Sequence, residues 1–290
     1  MTHVPPAWII VDATPLSDIE YWNWAKSKSD FIQQARSDVH ISWIHSIRGL
    51  TRQRNRGLIE AKLSEYSLVH FLDDDVEPDE LYFVEMRKAL NSERNLLGAT
   101  GSRIGEVESI DVSNNMMRIL YNSLIDKISK SKVQGSVNRI GQNFLAYGEI
   151  PFEVDWLSGC SMSFRMEVFD TLRFEESFEG YSLMEDLVFS FQLSLRGRLM
   201  YWPDAKLRHN LSESNRWAIA KSYYVEAHNR TIFVRCNPEH FSLRLHIARY
   251  VLEIVGLTLR SVVKLSKSDA LFARKKFFGL LTGFFFKRYI

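Results

Sequence analysis

The stretch Leu68-Val69-His70-Phe71-Leu72-Asp73-Asp74-Asp75-Val76-Glu77-Pro78 constrains this chain most. An apolar run long enough for one buried strand stops at three consecutive carboxylates, and a proline follows shortly after. That pattern predicts a strand delivering acids to a sheet edge. Adjacent like charges repel, so a folded site holds three of them best where a cation neutralises them. A strand tip carrying Asp-x-Asp is therefore a candidate site for a metal and a phosphate, because hard divalent ions prefer carboxylate oxygens. A solvated acidic turn is the plain alternative.

The flanking segments alternate between strand-like and helix-like patterns. Trp8–Val11 is a short apolar run ending at Asp12 and a Thr-Pro turn, and Val39–Ile44 follows a polar helical stretch. Thr51–Glu65 reads as a helix with Arg52, Arg54, Asn55 and Arg56 in its first turns. Glu80–Leu90 reads as another helix and Leu96–Thr100 as another strand. Such alternation predicts an α/β fold with a mostly parallel sheet flanked by helices. Ligands gather beyond the carboxyl ends of strands in such sheets, where Asp12 and the three acids fall. From about Ser109 to Pro151 the chain is polar and weakly periodic, a variable connection.

A second cluster of candidate chemistry is Phe178-Glu179-Gly180-Tyr181-Ser182-Leu183-Met184-Glu185-Asp186-Leu187. Glu185-Asp186 opens an apolar helical run that closes at Arg196-Gly197. Acids in a first helical turn complement the helix dipole, and a carboxylate on a rigid helix start also suits a general base. Met200–Pro203 reads as a short strand. His209, just beyond it, is a candidate to join an acid around a divalent ion, although a lone histidine is more often structural.

Composition excludes several classes. The two cysteines, Cys160 and Cys236, lack C-x-x-C spacing, which argues against a disulfide framework or zinc ribbon and for a reducing compartment. Met1–Pro6 lacks a signal-peptide layout, and no run of 18 uncharged apolar residues predicts a membrane span. Two glycosylation tripeptides, at Asn210 and Asn229, read as chance matches. Residues 244–290 carry ten Lys/Arg against two Asp/Glu, interleaved with large apolar residues. That is no nucleic-acid arm. It is a basic amphipathic helical tail suited to an anionic membrane surface, or to packing on protein.

The motif order resembles that of the family 2 glycosyltransferases, which have a GT-A fold and inverting chemistry. The matching pieces are Val11-Asp12-Ala13-Thr14, then Gly49 to Gly57 with Arg54-Asn55, then Phe71 to Asp75. Val154-Asp155-Trp156-Leu157-Ser158-Gly159 running to Arg165 follows, then Glu179-Gly180-Tyr181 leading to Glu185-Asp186. Together they span about residues 8–210. The resemblance implies a GT-A catalytic domain over 1–240 and a membrane-associating tail over 241–290.

It also implies roles. Asp12 meets the nucleobase, Arg54 and Asn55 border the nucleotide pocket, and Asp73 faces ribose and sugar. Asp75, with Asp73 and His209, binds Mg²⁺ or Mn²⁺ at the diphosphate. Trp156, Ser158, Gly159 and Glu185 shape the sugar and acceptor pocket, and Asp186 is the base. The implied partners are a nucleotide-diphosphate sugar and a glycan or lipid-linked acceptor, with no nucleic acid, at the inner face of the cell membrane. In one respect the chain departs from the family. Trp8–Val11 matches the family's second strand, so the opening strand and helix are expected to be absent. Two rival readings are a non-catalytic GT-A-like membrane-surface module and a metal-dependent nucleotidyltransferase.

Overall fold

A computed structural model describes residues 4–104, 133–178, 183–210 and 219–285. The Glu179-Gly180-Tyr181 motif, Ser212 and Lys287-Arg288 lie outside the described residues. The front of the chain follows the predicted alternation: β1 (Ala7–Asp12), α1 (Ile19–Ala35), β2 (His40–His45), α2 (Leu50–Leu63) and β3 (Leu68–Leu72). β1 and β2 pair in parallel, Ala7 opposite His40 through Asp12 opposite His45. α1 starts at Asp18, whose side chain accepts from the Tyr21 N–H and satisfies one of the donors a helix start leaves open.

The rest of the chain forms β4 (Val76–Pro78), α3 (Tyr82–Ser92), β5 (Leu96–Ile104), β6 (Phe152–Glu153), β7 (Ser161–Arg165), α4 (Glu185–Ser194) and β8 (Arg198–His209). Three further helices follow: α5 (Ile219–Cys236), α6 (Leu243–Val263) and α7 (Lys267–Phe285). The large sheet has the order β3-β7-β5-β8-β4, with β6 beside β8. Here the expectation of a mostly parallel sheet needs correction. β3, β5 and β8 run one way, but β7, β4 and β6 run against their neighbours. β7 lies between β3 and β5 and pairs antiparallel with both.

Aromatic packing holds the sheet to its helices. On one face Phe71 and Phe164 meet Phe169, Phe174 and Phe189, together with Leu58 and Ala61 of α2. On the other, Tyr82, Met86 and Leu90 of α3 pack on Leu96, Ala99 and Leu207. Each such large apolar side chain contributes about 1.5–3 kcal/mol when fully buried. A third cluster, including Trp156, Met184, Phe191, Phe233 and Phe241, ties α4 to α5.

The tail folds back onto α5. A Cβ on Gly279 would lie 2.3 Å from the Tyr224 carbonyl oxygen, and one on Gly283 would lie 2.5 Å from that of His228. Only glycine allows α7 to approach α5 this closely. Lys276, 5% exposed, reaches Glu253 at 2.6 Å and Glu226 at 3.6 Å. Arg230 meets Glu226 at 2.7 Å, and the Tyr250 hydroxyl donates to the same carboxylate at 2.7 Å. On their outer faces α6 exposes Val251, Val255, Leu259 and Val262, and α7 exposes Phe278, Leu281 and Phe285. No described helix is long and apolar enough to cross a membrane. Asn229 is buried and its amide donates to the Leu183 carbonyl, which leaves that tripeptide unsuited to modification in the folded protein.

Candidate active site

The acids of β3 and α4 meet on Arg54. Arg54 stands in the first turns of α2 and is buried. One guanidinium nitrogen donates to Glu185. The other donates to Asp73 at 3.4 Å and to the Gly159 carbonyl at 3.1 Å. The group also lies over the rings of Phe174 and Phe71, 5.4 and 5.9 Å from their centroids. Three motifs far apart in sequence thus converge on one cation.

Backbone geometry aims the acids of α4. Met184 at the helix N-cap has φ 77°, a left-handed conformation that a side chain other than glycine adopts at a cost of about 1–2 kcal/mol. The turn places Glu185 and Asp186 in the first helical turn. Asp186 Oδ2 accepts from the Gly159 N–H at 2.9 Å, and Oδ1 accepts from the Leu187 N–H at 2.8 Å. Gly159 fits tightly here: a Cβ would lie 3.1 Å from Asp186 Oδ2 and 3.4 Å from Arg54 Nη2.

The cluster is short of positive charge. Burial pushes Glu185 up to about 8, against the pull of Arg54 and with Asp186 and Asp73 adding to the rise. Its Oε2 is buried and has no hydrogen-bond partner among the described residues. Burial raises Asp73 as well, and Arg54 opposes it. One guanidinium faces three carboxylates, so the cluster retains a proton into the neutral range.

A second acid–base contact stands nearby on the sheet. β4 pairs with the end of β8, Val76 opposite His209, and the Asn210 N–H donates to the Asp75 carbonyl at 2.8 Å. This pairing sets His209 Nε2 3.2 Å from Asp75 Oδ1, with both side chains partly open to solvent. Among the described residues no three His, Cys, Asp or Glu side chains are grouped to hold a metal by themselves. Asp75 and His209 nevertheless fit two positions of a hard divalent ion whose remaining positions belong to phosphate and water.

At the end of β1, Asp12 is enclosed by donors. Oδ1 accepts from the Thr14 N–H at 2.7 Å, and Oδ2 accepts from the Tyr21 hydroxyl and, at 3.3 Å, from Trp43 Nε1. Burial pushes its carboxyl up, but these hydrogen bonds more than offset it and the net shift is downward. Tyr21, Trp24 and Trp43 form an aromatic wall beside it. Sequence reasoning missed Tyr21 and Trp43. The available signal was the aromatic run Tyr21-Trp22-Asn23-Trp24 nine residues past the acid.

Other predicted residues are placed elsewhere. The Asn55 side chain donates to the Phe174 carbonyl and to Glu176, each at 2.9 Å, and accepts from the Phe174 N–H. It pins that segment and does not face the Arg54 cluster. Trp156 is buried, with Nε1 donating to the Phe144 carbonyl at 2.8 Å. Ser158 contacts Cys160 Sγ at 3.4 Å, one residue from Gly159.

No protein-family model matches the chain, nor does any curated protein. Solved structures do. The chain is similar to GalNAc-T7 crystallised with UDP, GalNAc and Mn²⁺, with a TM-score of 0.51 at 13% identity over 80% of this chain. It spans 44% of that protein's length. It also aligns with the mannosyltransferase PcManGT of Pyrobaculum calidifontis, in complex with GDP-Man and Mn²⁺. There the TM-score is 0.49 at 11% identity, over 97% of this chain and 86% of that one. The fold is that of the GT-A glycosyltransferases, a mixed sheet flanked by helices, with helices closing the C-terminal end.

Proposed function

We propose that residues 1–240 form an inverting, family 2-type glycosyltransferase unit that moves a sugar from a nucleotide diphosphate to a hydroxyl of a glycan or lipid-linked acceptor in cell-envelope synthesis. The observation that carries this reading is Arg54 joining Asp73 to Glu185 and the Gly159 carbonyl, with Asp186 fixed on the Gly159 N–H. That arrangement sets a strand-end acid beside a helix-start acid, the two parts that a displacement at an anomeric carbon requires. The GT-A fold shared with a structure that holds UDP and Mn²⁺ supports it.

In this reading Asp12, Tyr21 and Trp43 receive the nucleobase, and Asp73 orients the ribose and sugar. Asp75 and His209 would hold the divalent ion, and an imidazole beside a carboxylate suits a first-row transition ion such as Mn²⁺ better than Mg²⁺. When bound, such an ion offsets the charge that develops on a departing diphosphate. Asp186 takes the proton of the acceptor hydroxyl from the face opposite the leaving group. The Gly159 N–H holds Oδ2 and so orients the carboxylate. Glu185 keeps Arg54 in place and, by retaining a proton, limits the repulsion around Asp73.

Residues 241–290 form the second half of the proposal. α6 and α7 expose apolar side chains beside Lys264, Lys267, Arg274 and Lys275, chemistry that suits the headgroup boundary of an anionic bilayer. We place the enzyme on the inner face of the cell membrane accordingly. Flotation with vesicles rich in anionic lipid checks this. Val255→Asp with Leu259→Asp is expected to leave the fold intact and abolish flotation, and unchanged flotation removes the docking role.

Calorimetric titration with UDP, GDP, dTDP and CDP, with and without Mn²⁺, tests the transferase reading. Metal-dependent binding of one nucleotide by the wild type, lost in Asp75→Ala, is the expected result. Absence of any binding by the folded wild type would favour a non-catalytic module.

A further inference from the structure

Asp12 stands at the end of β1 with most of its acceptor capacity taken. A carboxylate offers about four lone-pair positions, two on each oxygen. Oδ2 accepts from the Tyr21 hydroxyl and from Trp43 Nε1, which fills it. Oδ1 accepts from the Thr14 N–H at 2.7 Å and, among the described residues, from no other N–H. The Thr14 hydroxyl also helps to lower the carboxyl. It is a rotor that both donates and accepts, so it can turn its proton to a neighbouring carbonyl instead. One position on Oδ1 is thereby left for an incoming donor.

The donors that fill Oδ2 are held in place. Tyr21 lies in the first turn of α1, and its ring meets Trp22 edge-on at 5.7 Å and Trp24 at 5.5 Å. Trp24 in turn meets Trp43 at 5.6 Å, and Trp43 stands in β2 opposite Ile10. Trp43 Nε1 can only donate. The Asp12 side chain therefore cannot turn to present both oxygens without breaking its contacts to α1 and to β2.

Nucleobases differ in what they offer such an acid. Uracil and thymine carry one N–H on their pairing edge, N3–H, between two carbonyls. Guanine carries two adjacent donors, N1–H and the N2 amino group, which meet a carboxylate in parallel and need an open position on each oxygen. Cytosine and adenine have no ring N–H on that edge. They offer an amino group beside a bare ring nitrogen, which repels a carboxylate.

We propose that Asp12 and Tyr21 select a base with a single ring N–H between two carbonyls, uracil or thymine, and that Tyr21 is the residue that turns guanine away. The inference rests on the transferase reading, in which this acid meets the nucleobase. It adds the donor class, a uridine or thymidine diphosphate sugar. Sites built on hydrogen bonds discriminate well, because the wrong ligand leaves polar groups unpaired.

Calorimetric titration of the full chain in Mn²⁺ tests it, with UDP, dTDP, GDP, CDP and N3-methyl-UDP as probes. UDP or dTDP is expected to bind tightest, with GDP and CDP weaker by about tenfold or more. Methylation of N3, which removes the one donor, should weaken UDP by a similar factor. Tyr21→Phe opens a position on Oδ2 and should narrow the gap between UDP and GDP by about fivefold. The methylated nucleotide probes the wild type directly, so the test does not depend on how the variant folds. Three outcomes overturn the selection and leave the transferase reading standing: GDP or CDP binding as tightly as UDP and dTDP, no penalty for N3 methylation, or a UDP-to-GDP ratio unchanged in folded Tyr21→Phe. Binding of no nucleotide by the folded wild type overturns both.

Discussion

Glu185 and Glu226 are two enclosed glutamates that this protein drives in opposite directions. Burial raises both. Around Glu226, Arg230, Lys276 and Arg249 and the Tyr250 hydroxyl overcome it, and the carboxyl falls to about 2. Around Glu185, Arg54 alone stands against burial while Asp186 and Asp73 add to it, and the carboxyl rises to about 8. The tail network is balanced and acts as an internal staple between α5, α6 and α7. The Arg54 cluster is unbalanced, with three carboxylates around one guanidinium. The contrast separates a set of carboxylates matched by its cations from one that outnumbers its cation, and the proposed active site falls in the second.

The largest expected difference between the two regions is in turnover. Asp186→Asn should reduce sugar transfer by about two to four orders of magnitude, measured with the donor that the nucleotide titration identifies, at a cost of only about 1 kcal/mol of stability for the one N–H acceptor that the amide cannot replace. Glu226→Gln should do the reverse, lowering stability with little change in nucleotide affinity. A common fate for both variants would erase the distinction.

Next in size is the cost of breaking the staple. Lys276→Met leaves Glu253 and Glu226 without their shared cation. A fully buried pair broken in this way costs about 3–5 kcal/mol. Here the two carboxylates are 23% and 22% exposed and keep their arginines, so about 2–3 kcal/mol is expected in urea unfolding.

The pH dependence sharpens the comparison further. Glu185 is raised above its ordinary 4.5 in the folded protein, so its contribution is fully present below about 4.5 and is lost as pH rises through about 8. Glu226 is depressed, so its contribution is present above about 4.5 and is lost as pH falls towards about 2. Thermal melts across pH should show Glu185→Gln flattening the alkaline decline and Glu226→Gln flattening the acid one. The smallest effect is steric. Gly159→Ala presses on Asp186 and Arg54 and is expected to cost about 1 kcal/mol of stability, with a roughly tenfold loss of turnover from the displaced carboxylate.

Local pattern was enough to identify much of this molecule. The apolar runs at Trp8, Leu68 and Leu96, and the helical periods after Thr51 and Glu80, correspond to β1, β3, β5, α2 and α3 within a few residues. Each of these is written in neighbouring side chains whose period matches a strand or a helix. The acids at 73–75 and 185–186 were equally visible, because a cluster of like charge after an apolar run stands out in any sequence. The strand β7, however, is read locally as a motif segment, and nothing nearby says that it will run antiparallel between β3 and β5.

Tertiary structure decided the rest. Within Arg274-Lys275-Lys276 the three cations look alike, yet only Lys276 turns inward, because Gly279 and Gly283 bring that face of α7 against α5. Trp156 and Asn55 sit in motif positions, and their side chains are taken up by the Phe144 carbonyl and by the Phe174–Glu176 segment. Arg54 and Glu185 stand 131 positions apart, and His209 reaches Asp75 only because β4 pairs with the end of β8. The sequence by itself determined which elements form and which residues carry charge, since both depend on neighbours along the chain. Which charges meet, and whether they meet an opposite or a like charge, depends on packing between distant elements. That packing sends one glutamate down to about 2 and another up to about 8.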